Sequence, residues 1–183
     1  MSDVYLLDTN VISDLTDETR AGHPALYARF SSATPKQVLL PSMAIAEIKF
    51  GFAKAPDLRP DKRAKIESFI SRFEQVPFDE FCVEPYAVVR AELWKMHGTP
   101  AGKRSKFVER HPEELTDKVT GKELGIDEPD LIIASIALVQ NLILVTSDAG
   151  MGMTRVKAAA EKVFRDGKFP VQLRTENWAE VGN

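Results

Sequence analysis

Along this chain, short runs of apolar residues alternate with stretches whose apolar residues recur every three to four positions. Residues 4–7, the "QVLLPS" stretch and "LILVTSD" read as buried strands, the last of them the most apolar. "VPFD" and "VQLR" read as weaker strands. Helical spacing predicts elements over residues 11–15 and 24–31, then "MAIAEIKFGFAKA", with Ser42 placed to cap it. In "RPDKRAKIESFISRFEQ", Ile66, Phe69, Ile70 and Phe73 share one face. "FCVEPYAVVRAELWKMHG" reads as a helix with Val88, Ala91 and Met96 among its buried positions and Gly98 as its stop. "EPDLIIASIALVQN" carries Pro129 in its first turn and Asn141 at its end. "TRVKAAAEKVFRDG" is the last helical stretch. Short strands alternating with helices predict an α/β fold: a three-layer α/β/α domain around a central, mainly parallel sheet.

The 183 residues fit one domain, 1–183, with no repeat or linker to divide it. One piece breaks the rhythm. Residues 99–127 are polar and poor in apolar anchors, longer than most connections in compact domains, and so read as an inserted segment. Apolar residues make up 44% and charged residues 28%, an ordinary globular balance. There is no basic region followed by an apolar run at the N-terminus, and no apolar stretch approaches the ~20 residues of a membrane span. The single cysteine, Cys82, excludes an internal disulfide and a cysteine-based metal site, and reads as a small core residue. The expectation is a reduced, cytoplasmic protein with no membrane partner. Trp94 and Trp178 read as packing anchors. His23, His97 and His111 show no metal-ligand spacing.

Charge alters the picture more through placement than through its sum. A net charge of -3 is unpromising for a nucleic-acid binder, yet "AGKRSKFVER" is basic through Lys103, Arg104 and Lys106. That stretch reads equally as a solvated face or as an RNA contact. The acids are more telling. Asp8 follows the first strand in "YLLDTN", where it serves either as a helix cap or as a ligand at the sheet's carboxyl edge. Asp148 follows the strand "LILVTS" in the same way. Glu47 and Asp130 sit in mostly apolar helices, where an unpaired charge is expensive. Each acid alone has an ordinary structural reading, as a cap, a helix-dipole partner or a solvated residue. Together they make an all-oxygen cluster suited to hard cations such as Mg²⁺ or Mn²⁺. Two such ions about 3.5–4 Å apart promote in-line phosphodiester displacement. With those four acids set aside, the rest of the chain is close to neutral.

Four pieces in order, "LLDTNVIS", "PSMAIAEIKFG", "PDLIIASIAL" and "LILVTSD", together with the ending "VQLRTENW", resemble PIN-domain ribonucleases of the VapC/FitB toxin type. They cover nearly the whole chain outside the inserted segment. The resemblance implies a PIN-like domain and a metal-dependent endoribonuclease, the toxin of a toxin–antitoxin pair. It further implies one or two Mg²⁺ or Mn²⁺ ions, a homodimer and a small antitoxin partner. Asp8, Glu47, Asp130 and Asp148 match the acidic site by motif, with Asp8 and Asp130 as main ligands. Thr9 or Asn10 and Thr146 or Ser147 match its supporting polar groups. Two departures stand out. Many members of the family continue the last motif to an acid and a phenylalanine, where this chain has Met151 and Gly152, and they usually lack the segment before Asp130. Two other readings remain: an aspartate-nucleophile phosphohydrolase, which would want an acid where Asn10 stands, and a non-catalytic RNA-binding relative.

Overall fold

A computed structural model describes residues 3–55, 60–97, 115, 122–147 and 151–179. Strands β1 (Tyr5–Leu7), β2 (Val38–Pro41), β3 (Glu74–Val76), β4 (Ile143–Val145) and β5 (Arg174–Glu176) form one sheet in the order β3-β2-β1-β4-β5. Every neighbouring pair is parallel. Successive strand residues point to opposite faces, and Leu6 and Leu7 of β1 are both 0% exposed. Both faces are therefore covered, which is the three-layer α/β/α arrangement expected of an all-parallel sheet.

The two edge strands are displaced from their expected positions. β3 begins before "VPFD" and exposes Glu74 and Gln75, while β5 starts at the last residue of "VQLR". An edge strand is set by pairing with its inner neighbour, here Ile143 opposite Arg174, so its own apolar pattern locates it poorly.

Helices α1 (Thr9–Leu15), α2 (His23–Ser32), α3 (Ser42–Lys54), α4 (Pro60–Ile70), α5 (Val83–His97), α6 (Glu128–Val139) and α7 (Met151–Arg165) connect the strands. α5, α6 and α7 pack on one another, and α1 packs on α2 and α3. Ile66, Phe69 and Ile70 are buried as their spacing predicts. Asn141 takes the left-handed conformation (φ 52°) that ends α6 and turns the chain into β4. Four expectations are corrected. Ser42 is the first residue of α3 rather than its cap, since Pro41 occupies the cap position. On α5 the buried positions are Pro85, Val89, Glu92 and Leu93, while Val88 and Met96 are only partly buried against the core and Ala91 is exposed, because the helix turns the first stripe toward α6 and α7. Trp178 is buried against Tyr5, but Trp94 is 44% exposed. In the inserted segment, Leu115, Leu124 and Ile126 are buried in the core, so its return arm is anchored after all. Gly98, Lys103, Arg104, Lys106, His111 and Asp148 lie outside the described residues. Among the described residues no helix is long and apolar enough to cross a membrane.

Candidate functional site

In the strand order β3-β2-β1-β4-β5, connections run outward in opposite directions from β1 and β4. The carboxyl ends of those two strands flank the switch point, where open α/β sheets form their ligand crevice. Asp8 leaves β1 there, and Thr146 leaves β4 beside it, because Leu7 lies opposite Val145. The Asp8 amide donates to the Val145 carbonyl (3.0 Å), and the Thr146 hydroxyl donates to Asp8 Oδ2 (2.9 Å). Two residues distant in sequence thus meet across the crevice.

Asp8 is both a cap and a candidate ligand. It sits at the N-cap of α1, and Oδ1 accepts from the Thr9 amide at 2.7 Å. Its residue is only 2% exposed. Both of these donors are neutral groups. Thr9 carries the chain of contacts onward: its hydroxyl donates to Glu47 Oε2 at 2.6 Å. Glu47 stands partly buried in the second turn of α3, a helix that packs on α1. One threonine therefore couples two acids, its amide to one and its hydroxyl to the other. Asn10 is exposed on the following position.

Asp130 occupies the first turn of α6 and is partly buried. α6 runs antiparallel to the strands and delivers β4, so its first turn opens at the same carboxyl edge. The position is confirmed from α7, the helix that follows β4: a Cβ built on Gly152 would lie 3.4 Å from Asp130 Oδ2. Among the described residues no three His, Cys, Asp or Glu side chains converge as a ready ion cage. What is described is a linked pair, Asp8 and Glu47, with Asp130 at the start of the adjoining helix.

Two further groups border this edge. Ser147 donates to Asp14 Oδ2 (3.2 Å), and Asp14 also pairs with Arg20 (3.4 Å). Sequence reasoning passed over Asp14, although it lies one turn beyond Asn10 on α1 and so shares its face. At the start of α6, Glu128 accepts from the Tyr86 hydroxyl and from Arg90 (3.2 Å), while Arg90 also donates to the Tyr86 oxygen (2.6 Å). Burial first, then the Glu128 bond, pushes the Tyr86 phenol up to about 12, which keeps it protonated as a donor.

The donor set is oxygen throughout: carboxylates bonded to hydroxyls and amides. That chemistry fits a hard divalent cation.

A profile of the PIN domain matches residues 5–158. The chain is 26% identical to Ribonuclease VapC2 of Rickettsia felis over 147 residues, 79% of this chain and 87% of that protein. FitAcB from Neisseria gonorrhoeae superposes with a TM-score of 0.62 at 22% identity, over 97% of this chain and all of the matched one. VapBC2 from Rickettsia felis, solved bound to a DNA fragment from its promoter, gives 0.58 at 22% identity, over 96% and 98%. At such identities the structural likeness speaks for the fold.

Proposed function

The chain belongs to the PIN-domain family, and from that premise we propose that it is a Mg²⁺- or Mn²⁺-dependent endoribonuclease, the toxin of a toxin–antitoxin pair. The observation that carries this reading is the Thr146–Asp8 hydrogen bond across the switch point, continued by Thr9 to Glu47. This bonding, with a buried carboxylate at the edge where open α/β sheets form their ligand crevice, supports the reading. Asp8 and Asp130 are the main ligands in this reading, Glu47 is a ligand or positions water, and Asp148 completes the set. A bound divalent ion supplies charge neutralisation at the phosphodiester and activation of the attacking water. The protein's own part is orientation. Thr146 fixes one Asp8 oxygen, the Thr9 amide fixes the other, and the Thr9 hydroxyl turns Glu47 toward the crevice.

In the same reading the chain is one domain, 1–183, that works in the cytoplasm as a homodimer and is silenced by a cognate antitoxin protein. Support comes from its likeness to the relative named Ribonuclease VapC2 and to structures named for VapBC and FitAcB. In this reading Lys103, Arg104 and Lys106 of the inserted segment, which lie outside the described residues, contact RNA or the antitoxin.

The test is cleavage of a pool of structured RNA by purified protein with Mg²⁺, with Mn²⁺ and with chelator. Cutting should require the divalent ion and fall at least about 100-fold in Asp8→Asn, as loss of ligand or outer-shell groups does. A phosphomonoester should remain untouched, since its hydrolysis would mark an aspartate-nucleophile phosphohydrolase. Metal-loaded, antitoxin-free protein that cuts no RNA would refute the reading in favour of a binding role.

A further inference from the structure

Gly152 stands in the first turn of α7, and its surroundings leave no room for a side chain. A Cβ at that position would overlap the Gly125 carbonyl oxygen and come within 3.1 Å of the carbonyl carbon. Both obstacles are backbone, which has no flexible end to swing away. Gly125 itself has φ +63°, a conformation natural to glycine. The first turn of α7 therefore presses directly on the backbone of residues 124–125. One turn further along α7, the Arg155 guanidinium donates to the Leu124 carbonyl oxygen. Leu124 and Ile126 are buried on either side of the contact, and the Leu124 amide donates to the Leu115 carbonyl at 2.9 Å. This short arm leads through Asp127, the N-cap of α6, to Asp130.

We propose that Gly152 and Arg155 are positioning residues: they clamp the Leu124–Gly125 backbone to α7 and thereby set where the Asp130 carboxylate stands toward a divalent cation. The inference rests on the metal-dependent reading above. A bare glycine lets the arm seat directly on α7, and Arg155 keeps it seated. On α5, Tyr86 and Arg90 hold Glu128, two residues before Asp130. Neither α5 nor α7 contributes a described carboxylate to the site, yet between them they hold the turn that carries one.

The test is Mn²⁺ binding to the full chain, followed by electron paramagnetic resonance, beside RNA cleavage and thermal melting. Arg155→Met should weaken Mn²⁺ about 10-fold, the lower end of the cost of losing an outer-shell partner. It should lower kcat more than it raises KM, and Arg155→Lys should recover part of the loss. Gly152→Ala should act in the same direction, and Glu161→Gln, an exposed site on α7, should change nothing. Variants that bind Mn²⁺ as tightly as wild type would overturn the clamp and leave the ribonuclease reading intact. Wild type that binds Mn²⁺ but leaves RNA whole would remove the ribonuclease reading, and weaker binding by the variants would still support the clamp. Wild type that binds no Mn²⁺ would overturn both. An Arg155→Met protein unfolded at room temperature would overturn the clamp too, since Arg155 would then hold the fold rather than the carboxylate.

Discussion

Asp8 and Glu92 are equally hidden, each 2% exposed, yet the protein surrounds them differently. Glu92 lies on α5 among lysines: Lys168 at 2.9 Å, Lys162 at 3.4 Å and Lys95 at 3.9 Å. The Lys168 hydrogen bond, followed by Lys162, holds its carboxyl below the ordinary range against the opposing pull of burial. Asp166 shares Lys162 and Lys168 and is held at about 2. Such a group is electrically closed and joins α5 to α7 and the turn after it. Asp8 has each of its carboxylate oxygens oriented by a neutral donor, one by an amide and the other by a hydroxyl. A buried acid ringed by lysines ties elements of the fold together, whereas Asp8, oriented by an amide and a hydroxyl at the sheet's switch point, stands where such sheets form their ligand crevice.

If that contrast is right, the two acids should fail in different ways. The largest effect is at Asp8. Asp8→Asn should abolish cleavage and leave melting within a few degrees, because asparagine caps as well as aspartate and the Thr146 hydroxyl can rotate to accept. Calorimetry on the variant decides the point, and a collapse in stability would make Asp8 structural. Next is Thr146→Val, which keeps the shape and deletes one donor. It should weaken Mn²⁺ binding by about 10-fold, with little change in melting.

Glu92→Gln should do the reverse. Cleavage at neutral pH stays as in wild type, and stability falls by about 1–2 kcal/mol, the scale of a hydrogen bond to a charged group discounted for the lysines' exposure. Its pH dependence follows from the direction of the shift. A carboxyl lowered by folding contributes its full stability above the unfolded value, near 4.3, and loses it as pH falls through the lower folded value. Wild type should therefore lose melting temperature on acidification below about pH 4.3, and Glu92→Gln should show a shallower acid limb. The smallest effect is Lys168→Met, which should cost less stability than Glu92→Gln, since Lys162 remains within reach of Glu92. A larger loss in urea unfolding would mean that the cluster acts as one unit.

Much of this arrangement was legible along the chain, and what escaped did so for a shared reason. The inner strands announce themselves because both faces are buried, giving the unbroken apolar runs that end at Asp8 and Thr146. The edge strands β3 and β5 carry no such run, so they lie off the positions that apolar pattern predicts. Ser42 looks like a cap by type, but Pro41 takes that position. Trp94 looks like core by type, and Glu92 like surface, yet Trp94 faces solvent and Glu92 is buried. Asp14, Gly152 and Arg155 left little local signal, because their significance lies in contacts with Ser147, Gly125 and Leu124.

By itself, then, the sequence determined the alternation of strands and helices and the placing of acids just beyond or beside them. These depend on period, turn chemistry and the cost of an unpaired charge among apolar neighbours. Only the tertiary structure decided that β4 lies beside β1, bringing Thr146 to Asp8 across 138 positions of sequence. It also decided that α7 grips the arm leading to Asp130. Local pattern selects the conformation of a segment, whereas strand order and helix packing are chosen by the whole core at once, and the site exists only where those choices meet.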